Sequence, residues 1–372
     1  MTRRDLLLSA PLAALPLTAR AQEPGGGMIV RMRSPQNLET PASGLVPWTT
    51  PTDQFFVRSH FAVPRIESAT FTLKVTGHVE NPLALSLADL AKMPRVAKPL
   101  TLECAGNGRV FLAPQARGLQ WGIGAVGTAE WEGVPLGAVL ERAKVKAGAA
   151  EVVLVGGDKG EIRSDHPTPG EIPFDRAIPI AKAKRDECIL ATQMNGVPLT
   201  PAHGAPIRAV VGGWYGMAAV KWLTQIVVVE KPYASFWQTI DYALWDRSGG
   251  LPSLVPVTAI QPKAVVTSHL ENAVVPAGIV TVGGKAWAGE NGVAKVEFSA
   301  DGGTTWRPAK LGGDEKPFCW RDWSAAWAAA RGPAKLVARC TDGKGNTQPD
   351  KRDPDRRTYM INHLVPVEVV VR

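Results

Sequence analysis

At about residue 250 the chain changes the way it alternates apolar and turn-forming residues, and that change limits the folds open to it. Beyond it come short apolar runs over 278–283, 293–298, 335–340 and 365–370, divided by the turn signals Asp301-Gly302-Gly303 and Asp342-Gly343. Runs of that length at that spacing predict an antiparallel sandwich. Trp306, Trp320, Trp323 and Trp327 crowd the same stretch and are expected in its core or at an interface, where large aromatic side chains concentrate.

Before residue 250 strands and helices mix. Residues 71–77 alternate like a half-buried strand, 87–93 read as a short helix stopped by Pro94, and 151–155 form an apolar strand. Strands over 207–211 and 220–229 flank Gly212-Gly213-Trp214-Tyr215-Gly216, whose glycines let backbone approach a ligand closely. The expectation is an α+β domain over 51–250, with its loops doing the binding, and an all-β domain over 251–372. Residues 22–50, rich in Gly, Pro, Ser and Thr, read as an extended arm. A chain of 372 residues that is 45% hydrophobic can bury the core of two domains.

The first residues differ from the rest. Paired arginines in Thr2-Arg3-Arg4-Asp5-Leu6-Leu7 precede an apolar stretch through Leu17 and an A-x-A site at Ala19-Arg20-Ala21. That order predicts a twin-arginine signal peptide over 1–21, cut before Gln22, and a periplasmic destination. Such signals usually carry proteins already folded around a cofactor. After the signal no run of eighteen apolar residues occurs, so no membrane span is expected.

Three arginines and one aspartate lie in the signal, so the formal charge of +8 becomes +6 without it. The basic residues are scattered and lack the dense stripe of a nucleic-acid footprint. A mild positive field suits an anionic substrate or an acidic partner, or solubility alone. Cys104, Cys188, Cys319 and Cys340 are too few and too far apart for a disulfide scaffold, and no CxxC or CxxCH occurs. A zinc knuckle and attached haem are thereby disfavoured; pairing of Cys319 with Cys340 is left open.

The segment Thr101-Leu-Glu-Cys104-Ala-Gly-Asn-Gly-Arg109 puts a thiol between an extended stretch and a glycine-bearing turn, with an arginine five residues on. A nearby cation and turn N–H groups favour the thiolate, the form that binds soft metals. Alone this is weak, since a solitary cysteine is commonly a small buried hydrophobe. Three further segments carry residues able to hold a phosphate and a heterocycle: Phe55-Phe56-Val57-Arg58-Ser59-His60, residues 201–208 with His203 and Arg208, and Ala219-Val220-Lys221-Trp222.

Taken in order, CAGNGR, FVRSH, HGAPIR, VKWL and FWQTIDY resemble the sulfite oxidase family of molybdenum enzymes, from about Gln54 to the C-terminus. Within that family the likeness is to bacterial periplasmic sulfite dehydrogenases. The resemblance implies a sulfite-oxidase-type molybdopterin domain followed by an immunoglobulin-like dimerisation domain. It also implies a molybdenum–molybdopterin cofactor in which Cys104 is the one protein ligand to the metal. Phe56, Val57, Arg58, Ser59, His60, His203, Arg208, Ala219, Val220 and Lys221 would bind the pterin and its phosphate, with Asp158 matching less securely. Arg58, Arg109, Trp121 and Tyr242 would form the substrate end. Paired guanidiniums and a phenol suit a small dianion, with Tyr242 orienting it or moving a proton. The tail Thr358-Tyr-Met-Ile-Asn-His363 lacks the arginine-containing motif of the animal enzymes, leaving Arg356 or Arg357 as guesses for a third substrate arginine.

The activity so implied is oxidation of sulfite to sulfate, with electrons leaving one at a time to a separate c-type cytochrome, diffusing or bound as a subunit. A homodimer through the C-terminal domain is also implied. Open alternatives are an S- or N-oxide reductase on the same cofactor fold, oxidation of a carrier-bound sulfur species, and a non-catalytic secreted binding protein.

Overall fold

The computed structural model describes residues 27–163 and 166–372, so the expected signal over 1–21 lies outside the described residues. Two sheets make the body of the first domain. One is antiparallel, with strands ordered Val197–Pro198, Cys188–Met194, Val126–Pro135 and Val96–Glu103, and with Arg208–Val211 also pairing on Cys188–Met194. The other runs Leu83–Leu85, Leu73–Gly77, Leu223–Val229, Glu151–Gly160 and Ile172–Pro179, antiparallel except where Leu223–Val229 lies parallel to Leu73–Gly77.

Helices are few and short. Leu87–Ala91 starts because the Ser86 hydroxyl accepts from the Asp89 N–H while the Asp89 carboxylate accepts from the Ser86 N–H, a reciprocal cap. Leu136–Arg142 buries Leu136, Val139 and Leu140 on one face, the i, i+3, i+4 spacing of an amphipathic helix.

The second domain is two β-sheets around one apolar core. Lys263–Val266, Gly278–Trp287, Arg321–Ala329 and Lys310–Leu311 form one; Ala273–Val275, Val367–Val371, Gly332–Asp342, Val293–Ser299 and Arg307–Pro308 form the other. Val282, Val296, Phe298, Trp323, Leu336 and Cys340 fill the space between them. Of the clustered tryptophans, Trp320, Trp323 and Trp327 are buried, while Trp306 is half-buried beneath the Arg339 guanidinium.

Two expectations are corrected and one open question is answered. The arm folds back on itself: Ile29–Met32 pairs antiparallel with Asn37–Glu39, and Leu38 then exchanges two 2.9 Å backbone hydrogen bonds with Val57. Its polar residues are consumed rather than solvated, since Glu39 accepts from the Gly122 and Gly124 N–H groups. The boundary expected at 250 falls inside a hairpin, Ala243–Asp246 with Ser253–Pro256, and Val257 and Ile260 still belong to the first core. The tail also returns there, burying Tyr359 and Met360 in it. All four cysteines are free thiols, so Cys319 and Cys340 do not pair. Among the described residues no helix is long and apolar enough to cross a membrane.

Candidate active site

Cys104 stands where the strand Val96–Glu103 ends in a tight turn. Its N–H donates to the Ala125 carbonyl and its carbonyl accepts from the Asn107 N–H, both at 2.8 Å. Gly106 is required for space: a Cβ there would lie 2.3 Å from Arg109 Nη2. Burial pushes the thiol's pKa up, opposed by Arg58, Arg109 and the Gly106 N–H. The expected bias toward thiolate is present in those neighbours but burial outweighs it.

One cleft, enclosing about 660 Å³ with its mouth, is lined by Cys104 together with Phe56, Val57, Arg58, Ser59, His60, Asp158, His203, Arg208, Ala219, Lys221 and Tyr242. The loop over 56–60 is shaped by the arm. Asn37, buried, accepts from the Ser59 N–H at 2.9 Å and from Arg58 Nη1 at 3.3 Å, and its amide donates to the Ser59 carbonyl at 3.1 Å. His60 Nε2 lies 2.7 Å from the Tyr242 hydroxyl. The His60 ring stacks on Phe174, centroids 4.3 Å apart, and meets Trp237 at 4.6 Å. Burial, then Arg58 and Lys221, hold its pKa well below the usual histidine value.

Cations gather on the other elements lining the cleft. Lys221 Nζ donates to Ser59 Oγ and to the Ala202 carbonyl, both at 2.9 Å, and sits 4.1 Å over the Trp222 ring. Burial and then Arg208 drive its pKa well down. The Arg208 guanidinium donates to the His203 and Ala219 carbonyls at 3.1 and 3.0 Å, and burial lowers its pKa to about 9. His203 Nε2 donates to the Thr52 carbonyl at 3.0 Å; burial, then Arg208 and Lys221, lower its pKa to about 3. Asp158 faces these cations, yet burial raises its pKa to about 6 against the pull of Lys221 and Arg58. Gly204, at φ +102°, lets the two cationic elements approach, since a Cβ there would lie 3.0 Å from that of Lys221.

Three expected residues do not line the cleft. Val220 packs into the first domain's core. Trp121 is fully buried, and its Nε1 has no hydrogen-bond partner among the described residues. Arg109 donates from Nη1 to the Leu119 carbonyl at 2.8 Å and from Nε to the Thr358 carbonyl at 3.2 Å, with its guanidinium 5.4 Å from the Tyr359 ring centroid. The guesses for a third arginine also fall elsewhere. Arg356 binds the Asn362 side chain at 2.6 Å, and Arg357 donates to carbonyls of Ile240, Asp241 and Ala243.

Sequence reasoning missed Asn37, Phe174 and Tyr359. Tyr359 packs 4.7 Å from the Tyr242 ring and donates to Asp241 at 2.8 Å. Nothing in their local sequence marks them, because each reaches the site only through a distant pairing.

A family model described as "Oxidoreductase molybdopterin binding domain" matches residues 60–237, and "Mo-co oxidoreductase dimerisation domain" matches 255–370. Sulfite oxidase of Gallus gallus is 35% identical over 350 residues, which cover 88% of this chain and 74% of that protein. The chain belongs to the sulfite oxidase family. Family membership makes it a molybdopterin-binding oxidoreductase whose cofactor is molybdenum–molybdopterin. Mitochondrial sulfite oxidase of Mus musculus is 34% identical, with 92% of this chain matched to 65% of that one; a nitrate reductase of Hordeum vulgare is 32% identical, matched over 86% and 39%. The structure of the sulfane dehydrogenase SoxCD from Paracoccus pantotrophus superposes with a TM-score of 0.76 at 27% identity, covering 90% of this chain and 84% of that one.

The residues present fit that cofactor. Among the described residues no three His, Cys, Asp or Glu side chains gather to hold a bare metal, so a metal at Cys104 would need its remaining donors from an organic partner. Arg208 is buried and Lys221 and Arg58 are half-buried around a cleft with Asp158 as its acid, and crowding like charges there favours an anionic ligand such as a phosphate.

Proposed function

We propose that the protein oxidises sulfite to sulfate and passes the electrons singly to a c-type cytochrome in the periplasm. The supporting observation is the grouping of Arg58 and the Tyr242–His60 hydrogen bond beside Cys104 in one cleft. Bound there, the molybdenum cofactor supplies the two-electron redox centre. Arg58 supplies fixed charge and paired donors for a small oxyanion. Tyr242 presents a hydroxyl whose proton is held, since burial raises its pKa, and His60, kept neutral, can accept or return that proton. Lys221, Arg208, His203 and Ser59 hold the pterin phosphate, and Cys104 ligates the metal. Trp121, with its unpartnered Nε1, and Arg109 support the substrate end from behind the cleft wall. The C-terminal domain is read as an immunoglobulin-like sandwich that pairs two copies of the chain.

A second reading, oxidation of sulfur carried on a partner, is favoured by one observation. Arg109 is committed to two backbone carbonyls, which leaves Arg58 as the cleft-lining member of the expected arginine pair. A less charged sulfur group needs fewer cations than a dianion. It is also the reading in line with the sulfane dehydrogenase likeness.

The deciding experiment is substrate-dependent reduction of a c-type cytochrome by molybdenum-loaded protein, wild type and Cys104→Ser. Sulfite turnover that the substitution abolishes supports the first reading, and turnover of carrier-bound sulfur alone selects the second. Reduction of sulfoxide or nitrate by a reduced dye, with no sulfur oxidation, overturns both.

A further inference from the structure

Glu103, the residue before Cys104, is gripped by the C-terminal domain. Lys263 and Trp287 stand opposite each other on the paired strands Lys263–Val266 and Gly278–Trp287. Both reach to the same carboxylate: Lys263 Nζ donates to Glu103 Oε1 at 3.1 Å and Trp287 Nε1 donates to Oε2 at 2.8 Å. Lys263 Nζ also donates to the Asn107 carbonyl at 2.9 Å. The Asn107 side chain closes the circuit, its amide donating to Glu103 Oε1 at 3.1 Å and its oxygen accepting from the Ala125 N–H at 3.0 Å. Asn107 and Ala125 are the two residues that hold the Cys104 backbone. Cys104 therefore sits inside a closed ring of hydrogen bonds whose outer anchors belong to a different domain.

Joining the domains does not require this arrangement. Lys182 also crosses the junction, bonding Glu187 at 2.7 Å and Glu290 at 2.6 Å, and its bonds reach no residue of the 104–109 turn. At Glu103 the ion pair is almost wholly buried, with side chains 2% and 7% exposed, and both carboxylate oxygens are used. A buried, fully satisfied network of this kind defines one geometry, because any displacement strands a charge away from water.

We propose that Lys263 and Trp287 are positioning residues for Cys104, so that the domain matched as a dimerisation domain also sets where the thiol stands and how well the metal is retained. This rests on Cys104 being the metal ligand. If Cys104→Ser retains full molybdenum, that reading fails by itself, and the clamp is still measurable in the cofactor-free chain.

The test uses full-length protein made with and without molybdopterin synthesis, as wild type, Lys263→Met, Trp287→Phe and Lys182→Met. In the cofactor-free chains the rate of Cys104 alkylation by iodoacetamide is followed by peptide mass, with thermal midpoints measured in parallel; in the loaded chains molybdenum per chain is measured. Losing one anchoring hydrogen bond should speed Cys104 alkylation roughly tenfold. Both clamp variants should also lose most of their molybdenum, while Lys182→Met leaves both readouts at wild-type values at an equal or larger drop in thermal midpoint. Wild-type alkylation and full molybdenum in Trp287→Phe, which keeps an aromatic side chain but removes the Nε1 donor together with the indole's five-membered ring, overturns the proposal even if Lys263→Met does not fold. So does a Lys182→Met variant that matches the clamp variants.

Discussion

His60 and Tyr242 are 182 positions apart in the chain, yet the imidazole Nε2 and the phenol oxygen meet at 2.7 Å. Phe174 and Trp237 pack the imidazole, and a π-turn over Phe236–Asp241 delivers the phenol, with the Tyr242 N–H donating to the Trp237 carbonyl. Their pKa values are driven apart, histidine down and tyrosine up, so the phenol keeps its proton and the imidazole is neutral.

Removing that hydroxyl isolates its role. Tyr242→Phe keeps the ring packing against Tyr359 and is expected to lower kcat by about a hundredfold, in the range of a lost proton-transfer group, with molybdenum content unchanged. Steady-state kinetics beside metal analysis checks it; an equal fall in bound molybdenum would assign Tyr242 to cofactor retention instead.

Acid should unfold the cofactor-free chain early. His60 and His203 have folded pKa values below the unfolded value of 6.5, His203 at about 3. Above pH 6.5 both states are neutral and neither residue contributes a slope. Below it the unfolded chain takes up protons that the folded chain refuses, so stability falls by up to about 1.4 kcal/mol per pH unit for each histidine. Urea midpoints from pH 7.5 to 4.5 should show this decline, and bound phosphate, which offsets Arg208 and Lys221, should flatten it.

Lys221 should act with opposite signs on folding and on cofactor binding. Its charge is held against burial and against Arg208. Lys221→Met in the cofactor-free chain is expected to raise stability by about 1–3 kcal/mol, while molybdenum per chain falls. A destabilised cofactor-free variant would show that the bonds to Ser59 and Ala202 outweigh the buried charge.

Gly106→Ala tests the packing beneath Cys104. The new Cβ would meet all three terminal atoms of the Arg109 guanidinium at 2.3–2.6 Å, forcing it off the Leu119 and Thr358 carbonyls. Overpacking of this kind costs about 1–3 kcal/mol. The expected kinetic result is a raised KM for the anionic substrate, and an unchanged KM would place Arg109 outside substrate recognition.

Much of the site was legible in the chain because its residues come in short runs. Residues 56–60, Cys104, His203 with Arg208, and Ala219 with Lys221 each sit in a local motif, and the cleft collects them. Arg109 shares the turn with Cys104, but its contacts are not legible in that motif. Its partners, Leu119, Thr358 and Tyr359, come from a neighbouring loop and from the distant tail. Likewise, Gly, Pro, Ser and Thr in the arm gave no sign that Asn37 would organise Arg58 and Ser59.

The sequence by itself marked the change from a mixed region to a β region through its periodicity, and its short motifs carried the family resemblance that implies the cofactor class and points to Cys104. Only the tertiary structure decided which guanidinium lines the cleft, that His60 meets Tyr242, and that Lys263 and Trp287 reach across to Glu103. Those contacts join residues tens to hundreds of positions apart, and burial, which a linear pattern does not record, moves the pKa values of His60 and Tyr242 in opposite directions.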